Sequence, residues 1–506
     1  MSTENREITW VYRAERLSFE TRPFMGGDYC RSNSNEVFHT ENPANRTRLA
    51  TFADGDAKDI DSAVTAARKA YNSGWRHLAP ERRKPILLAV ADHIQQAREE
   101  LALFDCLEMG MPISMALEQV DSAVDFLRYN AELADKIYGE VAPGDSATTI
   151  AMSIKQSRGV VGVISPWNFP LATAMMAIAP ALATGNTLVV KPSELAPSSV
   201  LKMAEIASHA GLPAGVLNVV PGRGTSAGMA LAMHMDVDKL HFTGSTTVGR
   251  KLMTYAGQSN AKPVMLEMGG KSPQIVFQDA VDIDGLAAAL AQSAFYNTGQ
   301  LCVARTRLLV HETIKQEMIE AIHQHTKQVF TLGDPLDEKT TLGPIASKKQ
   351  CDRVNSYLET GKKEGAEIQA ISTAGEIPPA QDTNGNYIQP SMVTNATNSM
   401  RISQEEIFGP LLSVISFKTD DEAIQLANDV NYGLAATAWT KDLARARRLA
   451  RDLDVGYLEI RAASEGGATP NALTEEPYGA SGHGALGGRL GLEPYMRLKA
   501  VQIITD

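Results

Sequence analysis

Between Gly159 and Gly270 the chain alternates short apolar runs with stretches of helical length: VVGVIS, PLATAMMAIAPALATG, NTLVVK, SSVLKMAEIASHAG, GVLNVV, KLHFTG and PVMLEMGG. Repetition of this kind leaves few topologies. Right-handed crossovers place the strands side by side in a parallel sheet with helices against it, and such sheets bind nucleotides by default. Pro170 stands where a first helical residue tolerates proline, and Gly185 stands where that helix must stop.

A second alternating unit starts near Ser272 with PQIVF, a helix through Ala294, RTRLLV and the helix TIKQEMIEAIHQHTKQVF. Further strands (YIQPSMVTNA, LLSVISF, AATAWT) and helices (DEAIQLANDV, LARARRLARDL) follow, which predicts a second α/β domain beyond the Gly269-Gly270 break. Residues 56–138 carry apolar side chains at three and four spacing and predict a helical layer. The stretch 141–158 suits an exposed strand pair, either an ordinary hairpin or an oligomerisation edge, and KAVQIITD suits a strand. The expected division is 1–140 with 159–267, then 268–475, then 141–158 with 476–506.

A length of 506 residues exceeds what one hydrophobic core organises, so several domains are expected. Hydrophobic residues make up 44% and charged ones 21%, as in soluble proteins, and no apolar run is long enough to span a bilayer. The start, MSTENREITW, is acidic and polar where a secretory leader needs a basic and apolar one, which predicts a cytoplasmic protein. The net charge of -11 is spread among mixed acids and bases, with no basic stripe for nucleic acid. The four cysteines, Cys30, Cys106, Cys302 and Cys351, are far apart and without metal spacing, so neither a disulfide framework nor a metal site is indicated.

Three residues could carry chemistry. Cys302 lies in a polar loop, YNTGQLCVARTR, and the neighbouring Arg305 and Arg307 favour a thiolate able to attack a carbonyl; a packed free cysteine is the alternative. Glu267 ends an apolar strand before two glycines, where burial raises a carboxyl pKa and suits a general base; a helix cap or a partner for Lys271 is the alternative. Asn168, in SPWNFP at a strand's carboxyl end, can donate to a developing oxyanion or serve as turn chemistry alone. Two glycine-rich turns follow strands. PGRGTSAG is one residue longer than a dinucleotide fingerprint, and FTGSTTVGRK lacks the P-loop lysine because Arg250 stands there, which rejects an ATPase. Either can offer backbone N–H groups to a pyrophosphate.

Taken together, SPWNFP, KPSE, FTGSTTVG, LEMGGKSP, GQLC and EEIFGP occur in one order, and the chain resembles the aldehyde dehydrogenase superfamily over nearly its full length. Within it the chain looks most like the bacterial branch that oxidises γ-glutamylaminobutyraldehyde, betaine aldehyde and other aminoaldehydes. The resemblance implies an α/β fold with a Rossmann-type NAD domain, a second α/β catalytic domain and a small oligomerisation segment. It also implies NAD-dependent oxidation of an aldehyde to a carboxylic acid, with Cys302 as nucleophile, Glu267 as the base that activates water, and Asn168 with the Cys302 N–H as oxyanion donors. Lys191 and Glu194 would meet the adenosine ribose, and the Glu194 carboxylate would repel a 2′-phosphate, favouring NAD over NADP. Ser165, Trp167, Gly224, Gly228, Thr243, Gly244 and Ser245 would join the cofactor site, with Ser245 on the pyrophosphate. Glu406 and Phe408 would position the nicotinamide end. Phe169, Met176, Leu301 and Val303, with Ala172 and Thr173, would line the aldehyde pocket. A homodimer or homotetramer is implied through the 143–158 strands and the C-terminal strand.

The rival enzyme class, a CoA-acylating dehydrogenase, keeps the cysteine but normally lacks the base; a non-enzymatic binding or structural member of the fold fits poorly with nucleophile, base and donor all present. The chain departs from the family after about Leu458. The strand reads GYLEIRAASEGG, with Arg461 near an expected asparagine, and PYGASGHGALGG lacks the usual lysine. Arg461 is therefore a candidate for recognising a substrate anion, the alternative being an ion pair with Glu459 or Glu465.

Overall fold

A computed structural model of the chain describes residues 9–143, 148–280, 282–373, 384–464 and 470–505. Five parallel strands run side by side in the order Leu217–Val219, Thr187–Lys191, Val160–Ile164, Lys239–Thr243, Val264–Glu267. The first strand of this unit in the chain, Val160–Ile164, is thus central, and the strand order reverses beside it. That is the topological switch point at which open α/β sheets bind ligands. Antiparallel strands extend both edges, Phe24–Met25 with Asp28–Tyr29 on one side and Gly482–His483 on the other.

The strands read as continuous apolar runs because both faces are covered. Val161 and Val163 pack into one cluster with the helices Pro80–Gln96, Ile113–Leu133 and Pro170–Ala183. Val160 and Ile164 pack into the opposite cluster with the helix Ala57–Asn72. Each such side chain contributes about 1.5–3 kcal/mol by leaving water. Local signals agree: a capping box of Asp56 and Asp59 opens Ala57–Asn72, Pro170 is the first helical residue of its helix, and Gly185 takes φ +85° just past its end.

The second sheet has six parallel strands, Ser391–Val393, Leu411–Phe417, Arg307–His311, Pro273–Val276, Ala435–Trp439 and Tyr457–Arg461, with Ile368–Ala370 antiparallel at one edge. The helical layer anticipated over 56–138 comprises four helices ending at Leu133. The strand expected over 387–396 shrinks to Ser391–Val393, and the helix Lys348–Lys363, whose polar sequence predicts no helix, shares a core cluster with Val393.

The strand Thr149–Ser157 pairs antiparallel with Glu140–Val141 and, on its other side, with the C-terminal strand Met496–Ile504 along its whole length. Gly482–His483 pairs with Leu266 and Glu267 and so belongs to the first sheet. No helix among the described residues is long and apolar enough to cross a membrane.

Candidate active site

A cavity of about 570 Å³ lies at the carboxyl ends of the first sheet's strands and is closed by loops of the second unit. It brings together Trp167, Asn168, Phe169, Met176, Thr243, Gly244, Ser245, Glu267, Leu301, Cys302, Val303, Glu406 and Phe408 from positions up to 241 residues apart. Ala172 and Thr173 line it as well.

Cys302 is set by a tightly determined loop. Asn297, Thr298 and Gly299 take φ of +50°, +55° and +71° in succession, a left-handed turn that only strong surroundings maintain. The surroundings are visible: Thr298 Oγ1 donates to the Gly343 carbonyl (2.8 Å), and the buried Gln300 amide donates to the carbonyls of Asn297 and Pro344 while accepting from Ala346 N–H (2.9 Å). Gly299 is required because a Cβ there would collide with the Gly409 carbonyl.

The electrostatics of the sulfur differ from the sequence reading. Arg305 and Arg307 are neighbours in sequence but do not make a thiolate. Arg305 lies over the Tyr457 ring and donates to the Val303 carbonyl, while Arg307, fully buried, bonds Asn398 and the carbonyls of Leu426 and Ala427. Burial, then the carboxylates of Glu406 and Glu267, pushes the Cys302 thiol up to about 12. In the resting fold Cys302 is a partly exposed thiol facing carboxylates.

Glu267 ends its strand with the side chain 8% exposed and Oε1 buried without a hydrogen-bond partner. Burial, reinforced by Glu475 and Glu476, holds its carboxyl well above the ordinary range. It does not pair with Lys271, whose ammonium is buried, pushed down to about 7 chiefly by burial, and closer in charge terms to Glu406. Asn168 is likewise buried; its Nδ2 donates to the Gln300 carbonyl (3.0 Å), and its own carbonyl accepts from Asn297 Nδ2 (3.1 Å). The amide is thereby locked to the loop that carries Cys302, with a second N–H to spare.

Glu406 and Phe408 are held from behind. Arg353 donates to the Glu406 carbonyl (2.7 Å), and Gln350 donates to the carbonyls of Ile407 and Phe408, so the helix Lys348–Lys363 fixes the loop. Phe408, at φ +61°, meets Trp167 edge-on at 5.3 Å. The Glu406 carboxyl accepts from Gly270 N–H (3.1 Å) and sits where a Gly269 Cβ would be, and burial raises it to about 7.

Ser165, Lys191, Glu194, Gly224 and Gly228 lie outside this cavity. Lys191 Nζ pairs with Glu194 at 3.1 Å, and the Lys191 stem passes beside Gly228. Burial raises the Glu194 carboxyl, but Lys191 and Arg223 outweigh it and hold the group below the usual range. Ser165, at the carboxyl end of the central strand, has its hydroxyl buried without a partner. Ser245 caps the helix Thr246–Gln258, accepting from Val248 N–H (3.4 Å). An ionised carboxylate, a buried ammonium, an orphaned hydroxyl and a helix start near the carboxyl ends of these strands suit a dinucleotide.

Arg461 takes the ion-pair reading with Glu459 rather than the substrate-anion one. It does not line the cavity: its guanidinium pairs with Glu459 (3.2 Å), donates to the Ser464 carbonyl (2.8 Å) and lies 4.8 Å from the centre of the Trp439 ring, beside a separate hollow of about 130 Å³. It is the last residue of a strand paired with Trp439, which directs it to that side. Glu465, its other suggested partner, lies outside the described residues. The segment instead supplies Asn471, Leu473 and Glu475 to the cavity, and Gln119, Tyr296 and Tyr457 join from elsewhere. None of these carries a local sequence signal.

The aldehyde dehydrogenase family model matches residues 29–501. The chain belongs to that family. It is 40% identical over 496 residues to the NADP/NAD-dependent aldehyde dehydrogenase PuuC of Escherichia coli, covering 98% of both chains. The solved aldehyde dehydrogenase KauB of Pseudomonas aeruginosa superposes with a TM-score of 0.93 at 40% identity over 98% of this chain and 99% of that one. Betaine aldehyde dehydrogenase of Staphylococcus aureus, solved in complex with NAD+, gives 0.92 at 34% identity, covering 99% and 98%. This enzyme is an NAD(P)-dependent aldehyde dehydrogenase with the α/β parallel-sheet fold of its relatives, and NAD is its supported cofactor.

Proposed function

We propose that this aldehyde dehydrogenase works through a thioester on Cys302. The observation that carries the reading is the convergence of Cys302, Glu267 and Asn168 on one cavity. Cys302 acts as a thiolate, its proton passing to solvent before it adds to the aldehyde, which leaves Glu267 free for the later hydrolysis. The sulfur then bonds to the aldehyde carbon, giving a thiohemiacetal whose oxygen Asn168 Nδ2 and the Cys302 N–H stabilise. Bound NAD would accept the hydride from the thiohemiacetal carbon, which stays on the sulfur as a thioester. Glu267 takes a proton from water as it attacks the thioester, the C–S bond breaks, and a carboxylic acid departs.

Ser165, Trp167, Lys191, Glu194, Gly224, Gly228, Thr243, Gly244 and Ser245 would hold the dinucleotide, with Glu406 and Phe408 toward its nicotinamide end. Phe169, Met176, Leu301 and Val303 would wall the aldehyde, and the relatives' named substrates make aminoaldehydes the first to try. Residues 1–140 with 159–267 would form the cofactor domain and 268–475 the catalytic one. The strand edge at Met496–Ile504, with Leu498 and Ile504 exposed, would join copies into a homodimer or homotetramer of a cytoplasmic enzyme. A panel of amino, acidic, aromatic and short aliphatic aldehydes with NAD and NADP tests the activity. NADH should form and Cys302→Ala should abolish it; turnover surviving that substitution would sink the mechanism.

A further inference from the structure

The C-terminal segment brings a charge into the cavity that the cycle above does not use. Glu475 pairs with Leu486 through the backbone in both directions, at 2.9 Å and 2.8 Å, as an isolated antiparallel bridge. Side chains alternate across such a pairing. Thr474 and Glu476 turn to one side, where Thr474 Oγ1 donates to the Gly487 carbonyl (3.0 Å) and Glu476 Oε1 accepts from Gly484 N–H (3.0 Å). Glu475 turns to the other side and lines the cavity. Among the described residues its carboxylate has neither an ion pair nor a hydrogen bond.

The charge of Glu475 acts on Glu267, Cys302 and Arg305 but not on Glu406, which sets it on the nucleophile's side of the cavity. No cation lining the cavity answers it there. Arg305, the one positive charge acting on it, is not among the lining residues; its Nη1 donates to the Val303 carbonyl (2.9 Å) and its guanidinium lies over the Tyr457 ring. Arg353, the one arginine that lines the cavity, is spent on the Glu406 carbonyl. His241 also lines it, but burial holds that ring neutral, with Nδ1 2.7 Å from the Tyr495 hydroxyl.

Aromatic rings complete the surroundings. Phe126, Phe169, Tyr296 and Tyr457 line the cavity, and ring faces attract cations. Phe169 and Tyr296 lie 14° apart with centroids at 6.2 Å, and Gln119 Nε2 donates to the Tyr296 hydroxyl (3.1 Å), which holds that ring. An anionic group brought here would lose its water beside an unpaired carboxylate, whereas a cationic one would gain a partner and relieve the carboxylate of its isolation.

We propose that Glu475 is a specificity-determining residue, whose unpaired carboxylate selects aldehydes with a positively charged far end and excludes those with an anionic one. The proposal rests on Cys302 being the residue at which the aldehyde reacts.

Three aldehydes of equal chain length test it at about pH 8, where a carboxyl raised by burial and held back by Arg305 is ionised. One ends in trimethylammonium, one in its neutral tert-butyl isostere and one in carboxylate. The parent enzyme should favour the trimethylammonium aldehyde over the isostere by about tenfold in kcat/KM, with the carboxylate lowest. Glu475→Gln should bring the cationic and neutral substrates level and narrow the gap to the anionic one; Glu475→Ser serves if the glutamine variant does not fold. Because Glu475 also acts on Glu267 and Cys302, absolute rates move in either variant, but ratios between substrates within one variant cancel that effect. A parent that handles the two isosteres alike, or a preference that survives the loss of the carboxylate, would overturn the proposal. NADH formed by Cys302→Ala would instead overturn the reading on which it rests.

Discussion

At Cys302 the sulfur faces Glu267 and Glu406 rather than the arginines that neighbour it in sequence, so the free enzyme holds a thiol and not a preformed nucleophile. Thiol alkylation by iodoacetamide should therefore climb about tenfold per pH unit between about pH 7 and 9, without levelling. A plateau near pH 8 would show a thiolate the structure does not provide. Glu267 has the complementary character: buried and partnerless at Oε1, it is protonated over the ordinary carboxylate range and becomes a base only above it. Activity should accordingly fall as acid protonates Glu267, with the midpoint above that of an exposed glutamate. Lys191 and Arg223 keep Glu194 ionised, and under the proposed cofactor placement that charge would repel a 2′-phosphate. Glu194→Gln should raise kcat/KM for NADP relative to NAD by about tenfold, the effect of roughly 1.4 kcal/mol.

Among the elements, the loop 296–302 holds the reacting groups in place. A Gln300→Ala change strips partners from the buried groups of Asn297, Pro344 and Ala346, and should cost about 1–3 kcal/mol per orphaned group. Thermal denaturation should show that loss, with kcat falling further than the bound NAD does, since Asn168 and Cys302 both hang on this loop. Much of this was legible beforehand at the level of motif and period. The apolar runs from Val160 to Glu267 read as parallel strands because both faces are buried, and Cys302, Glu267 and Asn168 stood in local signatures. What escaped was anything set by side-chain direction across distant segments. Arg305 and Arg307 looked like activating cations until packing turned them onto Tyr457 and Asn398. Whether Arg461 met a substrate anion or Glu459 was settled by its strand register, which sets it beside Trp439, and His241 read as one more strand residue until Tyr495, 254 positions on, met it.

Across the whole molecule, the two parallel sheets line one cavity from different sides: the first brings Glu267 and Asn168 from its strand ends, and the second, with its loops, brings Cys302, Glu406 and Phe408. The third sheet, Met496–Ile504 with Thr149–Ser157 and Glu140–Val141, leaves Leu498, Ile504 and Ile150 exposed along its length. Leu498→Lys with Ile504→Lys should shift the mass measured by light scattering toward the monomer while leaving the fold's circular dichroism unchanged. An unaltered mass would place the interface elsewhere. The central claim, a thioester on Cys302 cleared by Glu267, is tested most directly by trapping it. Mass spectrometry of the Glu267→Gln enzyme, mixed with NAD and an aldehyde substrate, should reveal an acyl adduct on the peptide that carries Cys302. NADH formation with no adduct there, or with the adduct on another residue, would contradict the account.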